Sequence, residues 1–169
     1  MTKKELRIAL IAIGALCVIS LAAMIAALIH FKPIEQEFVP PAFDATAVAG
    51  ELAETDELKE LGWSEIYRDG MEYSAYLCGR VLADEQNTAD VWFYNTGRGE
   101  SWIKLRVFDA QGNVVAETGL IKPKQYIKTL QFTRPMEDGE QISFKIMGYE
   151  PDTYLSAGAV TLNTTVKAK

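Results

Sequence analysis

Catalysis and metal binding need particular side chains at particular spacings, and this 169-residue chain offers few of them. Its single histidine, His30, stands at the end of a long apolar run. A Ser-His-Asp or Cys-His constellation, or a His-ligated zinc site, would need a histidine beyond that run, and the sequence has none there. The expectation is a protein that is not an enzyme, with no cofactor and no metal. Cys17 lies in the apolar run and Cys78 far outside it, so the two are not expected to pair. Cys78 follows Leu77 in an apolar stretch and reads as a buried structural thiol rather than a reactive one. Asp84, Glu85, Asn87 and Asp90, or Asp109 and Asn113, carry the oxygens that calcium takes. These are also ordinary turn residues, and neither stretch matches an EF-hand loop. Gly97-Arg98-Gly99 is too short for a phosphate loop.

Aromatic side chains are the remaining binding signal: Trp63, Trp92, Tyr94 and Trp102. If Ile103, Leu105 and Val107 face a core, period-two alternation turns Trp102 the other way, together with Lys104 and Arg106. In Val91-Trp92-Phe93-Tyr94 both faces of a strand are bulky, so it is either covered on both sides or carries a site. Trp92, Tyr94, Trp102, Lys104 and Arg106 therefore form the candidate interaction surface. Three uses compete for it: packing against the Trp63 segment, a protein contact, or stacking on the sugar rings of an envelope glycan.

The elements that must position these residues begin with Ile8 to Phe31. At 1.5 Å per residue, 24 helical positions reach roughly 36 Å, enough to cross a hydrocarbon core of about 30 Å. The run is long for a cleaved signal peptide, and the best small-residue sites, around Ala45 to Ala49, lie well beyond it. Leu16 stands where a lipobox needs a small residue before Cys17. Retention as a signal anchor is the favoured expectation. Lys3, Lys4 and Arg7 precede the run against Glu5, whereas from Lys32 onward 22 acids face 14 bases. This asymmetry predicts a cytoplasmic N-terminus and an extracytoplasmic C-terminal part, in a single-pass protein of the cell membrane. The acidic balance argues against nucleic-acid binding.

The expected organisation is a cytoplasmic tail over 1–7, a transmembrane anchor over 8–31, an acidic linker over 32–62 and a folded domain over 63–169. Lys32-Pro33 is expected to end the first helix. Between Glu35 and Glu72, eleven acids face only Lys59 and Arg68, which suggests a solvated, proline-stiffened stalk. Within it, Thr55 to Gly62 has an N-cap residue, acids in the first turn and a terminal glycine, so it predicts one short helix whose Leu58 and Leu61 share a face.

From about Met71, β-rich runs recur every eight to twelve residues: 72–78, 89–94, 102–108, 114–118, 126–132, 141–149 and 159–166. The clearest hairpin is 103–108, the turn Asp109 to Asn113, then Val114-Val115. Ile103, Leu105, Val107, Ile142, Phe144, Ile146, Val160, Leu162 and Val166 are the expected core. The fold class expected is all-β, a sandwich of about seven strands preceded by a transmembrane helix and an acidic stalk.

A resemblance accompanies this reading. It rests on Gly62-Trp63-Ser64-Glu65, on 102–107, on Glu117-Thr118-Gly119-Leu120-Ile121-Lys122-Pro123 and on 156–165. Through these stretches the chain resembles small, single-pass, largely uncharacterised envelope proteins of Firmicutes. Its hairpin resembles those of immunoglobulin-like and fibronectin-type modules. The resemblance implies location and architecture, and brings no activity. The expected function is a non-enzymatic, membrane-anchored structural or protein-interaction module of a bacterial envelope. Its expected partners are the bilayer through residues 8–31 and an envelope or surface protein; glycan binding through exposed aromatics is the alternative.

Overall fold

The computed structural model describes residues 2–30 and 38–168, in two compact units divided between Val39 and Pro40. The first unit is α1 (Lys3–His30). Thr2 caps it: its hydroxyl accepts from the Glu5 N–H at 3.4 Å, and the Glu5 carboxylate accepts from the Thr2 N–H at 2.7 Å. Within Lys3 to Ala27 an 18-residue stretch has a mean hydropathy of 2.8, and none of that stretch is buried by the protein. This helix is long and apolar enough to cross a membrane. Apolar residues all round a helix need an apolar surrounding, which a bilayer supplies. Phe31 and the expected helix stop at Lys32-Pro33 lie outside the described residues.

The second unit is mostly β: β1 (Val48–Ala49), α2 (Asp56–Glu60), β2 (Trp63–Ile66), β3 (Ala75–Cys78), β4 (Val81–Ala83), β5 (Thr88–Asn95), β6 (Trp102–Asp109), β7 (Val114–Glu117), β8 (Gln125–Gln131), β9 (Gln141–Tyr149) and β10 (Ser156–Ala168). The strands join into one curled, mixed sheet in the order β1-β8-β5-β4-β10-β9-β6-β7, with β3 bridging β5 to β2. Pairing between these strands is antiparallel except between β4 and the last residues of β10, where Val166 to Ala168 run parallel to Val81 to Ala83.

The seven β-rich runs each contain a strand, because their alternation puts one face in water and one in the core. Ile103, Leu105, Val107, Ile142, Phe144, Ile146, Val160 and Val166 are all buried. Leu162 is only partly buried, against the same core. Facing residues from the other half of the curl, including Phe93, Val91, Ile127 and Leu130, complete that core. The β6–β7 hairpin also forms as its residues require. Asp109 Oδ1 accepts from the N–H groups of Gln111 and Asn113 at 3.0 and 2.8 Å, and Gly112 takes the positive φ of 84° that the turn needs.

Three strands are additional to the expected seven: β1, β2 and β4. They are short, and what makes them strands is pairing rather than pattern. Ala75 to Ala83 runs antiparallel to β5 at both ends and is broken at Gly79-Arg80, so its first half serves β2 and its second half serves β10.

The boundary expected at Trp63 is corrected. Residues 40–62 are not a linker but part of the folded unit. Ala42 O accepts from Leu120 N–H and Leu120 O from Asp44 N–H, both at 2.9 Å, and Gly119 N–H donates to Asp44 Oδ2 at 2.7 Å. Val48-Ala49 then extends the sheet beside β8. The helix predicted over 55–62 is α2, with the Thr55 hydroxyl accepting from Leu58 N–H at 3.3 Å. Leu58 is buried, and Leu52 and Leu61 pack beside it. The acids of this stretch made it look like a stalk; three leucines fasten it down.

Candidate interaction surface

The five residues of the candidate surface do not come together. Trp92 and Tyr94 lie on β5, while Trp102, Lys104 and Arg106 lie on β6 in the other half of the curl.

On β5, the tyrosine side is a second apolar core. Tyr76, Tyr94 and Tyr126 stand opposite one another on the adjacent strands β3, β5 and β8. Trp63 stacks on Tyr76 with ring centroids 4.2 Å apart, and Trp92 stacks on Tyr126 at 6.0 Å. Leu52, Leu58, Leu61 and Cys78 complete the cluster. Tyr94 is 7% exposed. Both bulky faces of 91–94 are thus accounted for: Val91 and Phe93 fill the main core, while Trp92 and Tyr94 meet the 50–63 segment and its neighbours. This is the packing alternative of the three weighed for these side chains.

Trp92 has a φ of 42°, uncommon for a bulky side chain, at the register shift between Asp90 and Phe93. Its carbonyl accepts the Trp63 indole N–H at 2.8 Å, and Lys128 Nζ lies 5.0 Å from its ring. Its own indole N–H has no partner among the described residues. Burial pushes the neighbouring Cys78 thiol up to about 12, with the nearby Asp90 charge adding to it. That is an inert thiol, as its apolar flanks predicted.

On β6 the alternation places Trp102, Lys104 and Arg106 on one outward face. Trp102 is clasped edge-on between Phe43 at 4.8 Å and Tyr154 at 5.3 Å. Lys122 Nζ stands 4.7 Å from the Phe43 ring, and Leu155 beside Tyr154 in sequence is 61% exposed. Lys104 and Arg106 both reach Glu117 on β7, at 3.1 and 2.9 Å. Burial alone would raise the Glu117 carboxyl, but hydrogen bonds and charge from these two cations hold it below the usual carboxylate range. Trp92, Tyr94 and Trp102 therefore form no common platform of the kind a sugar ring would stack on.

A different feature lies where β2 and β10 face one another: a cleft of about 360 Å³. Ile66, Leu77, Val160 and Leu162 line it with apolar side chains, and Ser64, Glu65, Arg68 and Asn163 add polar and charged ones. Sequence reasoning treated 159–166 only as a core strand. The sole clue to more was its lack of charge from Ser156 to Val166.

Compared with known proteins, the chain matches no protein-family model, and no curated protein matches its sequence.

Proposed function

We propose that this protein is a membrane-anchored, non-enzymatic interaction module that holds a partner at the outer face of the cytoplasmic membrane of a bacterial envelope. In this reading the β unit is a sandwich of the immunoglobulin-like kind, α1 spans the bilayer once and the N-terminus is cytoplasmic. The observation that carries the reading is the pairing of an unburied apolar helix with a separate, well-packed β unit in one short chain. The bases before the helix and the acids after it support the orientation. The resemblance to small Firmicutes envelope proteins supports the setting. With Trp92 and Tyr94 engaged in the second core, protein contact is favoured over glycan stacking.

Cysteine labelling in intact cells tests the topology. Cys17 lies in the apolar helix and Cys78 is buried, so an added cysteine at Ala110→Cys, in the exposed β6–β7 turn, would be the reporter. A membrane-impermeant maleimide should label it before lysis. Labelling only after lysis would overturn the proposed orientation. Crosslinking of the anchored chain to no specific protein neighbour would overturn the interaction role.

A further inference from the structure

A strand whose outer edge is unpaired presents a row of backbone donors and acceptors. Natural proteins usually blunt such edges with charge, proline or very short length. From Ala159 to Asn163, β10 pairs only with β9 among the described residues, and the slot on its other side is taken by β4 only from Val166 onward. No charged residue or proline interrupts Ser156 to Val166.

The direction of the free groups follows from the register. Val166 N–H donates to Glu140 O and Val166 O accepts from Gly139 N–H, both at 2.8 Å, so at Val166 the backbone faces the β9 side. Alternation along an unbroken antiparallel ladder then turns Val160, Leu162 and Thr164 toward β9, and Ala159, Thr161 and Asn163 toward the cleft. Across the cleft stands β2, which pairs only with β3 among the described residues. The cleft thus offers hydrogen-bonding backbone along one wall and apolar side chains in its lining.

We infer that this cleft binds an extended peptide segment of a partner protein, with alternating apolar and polar residues, as an added strand on the free edge of β10. The row of backbone groups calls for another backbone in extended form. Ile66, Leu77, Val160 and Leu162 call for apolar side chains at every second position of that segment. Ser64 to Arg68 of the β2 side bound the cleft opposite β10, and its volume of about 360 Å³ is at the low end for a ligand pocket, so the occupant is a short segment and not a copy of this domain. This inference rests on the interaction role proposed above and names the form of its partner.

The test uses the full chain in phosphatidylcholine–phosphatidylglycerol nanodiscs. Two displayed peptide libraries are compared, one alternating valine, isoleucine or leucine with threonine, serine or lysine, the other with the same composition scrambled. The alternating library should be enriched. Its binders should weaken about tenfold, the equivalent of one lost hydrogen bond, on Thr161→Pro. That substitution removes a cleft-facing N–H while leaving the β9 ladder intact. Thr161→Val, which keeps the N–H, should bind like the wild type. Ser64→Trp, which fills the cleft from β2, should weaken binding as much without touching β10. Binders insensitive to both Thr161→Pro and Ser64→Trp would overturn the cleft while leaving an interaction role elsewhere. Enrichment of neither library, or dimerisation of the chain through β10, would overturn the inference as well.

Discussion

Tyr73 offers a quantitative test of how the curled sheet is held together. It is fully buried, and its hydroxyl is shared between Ile146 O on β9 at 3.2 Å and Gly158 O on β10 at 3.3 Å. Tyr73→Phe removes that donor and leaves the shape of the ring in place. One hydroxyl shared between two acceptors at these distances is worth about 1–2 kcal/mol, with part of the cost coming from the Gly158 carbonyl left short of a partner. The variant should therefore melt about 5 °C lower near neutral pH. Burial also pushes the Tyr73 phenol from 10.0 up to about 12. A group whose folded pKa is raised contributes stability that is complete below its unfolded pKa and lost as pH rises through the folded one. By pH 12, where the unfolded phenol is fully ionised and the folded one half ionised, the wild type should thus have lost roughly 2 kcal/mol, from about 1.4 kcal/mol for each tenfold difference in proton affinity between the folded and unfolded chain. The phenylalanine variant has no such loss. Cys78, also pushed up to about 12, titrates equally in both proteins and cancels in the difference. The two stability curves should cross near pH 11, with Tyr73→Phe the more stable protein above the crossing. Urea unfolding of the full chain in detergent micelles measures this through tryptophan fluorescence, since Trp63, Trp92 and Trp102 all lie in the β unit. A wild-type advantage that stayed constant from neutral to strongly alkaline pH would refute the reasoning.

Three further outcomes are expected. Trp63→Phe deletes the indole N–H that holds the Trp92 carbonyl and thins the stack on Tyr76, so it should cost about 2–3 kcal/mol in the same urea assay; a change below about 0.5 kcal/mol, the size typical of a surface substitution, would mean that the second core is not a structural one. Gly119 lies against the backbone of Phe43 and Asp44 where a methyl group has no space, so Gly119→Ala should release the 40–50 segment at a cost of about 1–3 kcal/mol. Amide exchange at Asp44, Gly50 and Leu120 should quicken while the β6–β9 ladder stays protected. Burial raises the Asp44 carboxyl, but hydrogen bonds from the Thr46 hydroxyl, Gly119 N–H and Thr46 N–H outweigh it and hold the group below its ordinary value. Its contribution is present above the unfolded carboxylate pKa and lost as pH falls through the lowered folded value. Asp44→Asn should accordingly flatten the acid limb of the stability curve; an unchanged acid limb would show that Asp44 does not fasten this segment.

What the sequence determined by itself are the features that depend on local pattern. The apolar length of α1, the alternation of β6, β9 and β10, the Asp109–Asn113 turn and the Thr55 cap are each set by residues close together in the chain. The inertness of Cys78 was legible from its apolar flanks. Tertiary structure decided whatever depends on which strand lies beside which. The 40–62 stretch is acidic enough to resemble a stalk, yet Leu52, Leu58 and Leu61 find an aromatic surface assembled from β2, β3, β5 and β8, which no local window contains. The same surface decides what the two bulky faces of 91–94 left open, since Trp92 and Tyr94 face a second core. Trp102, Lys104 and Arg106 do share a face as their spacing predicted, but only the register with β7 brings Glu117 between the two cations. The free edge of β10 is the extreme case. An unpaired edge is a property of neighbours that a strand lacks, and periodicity reports which way side chains point, not which backbone groups remain unbonded.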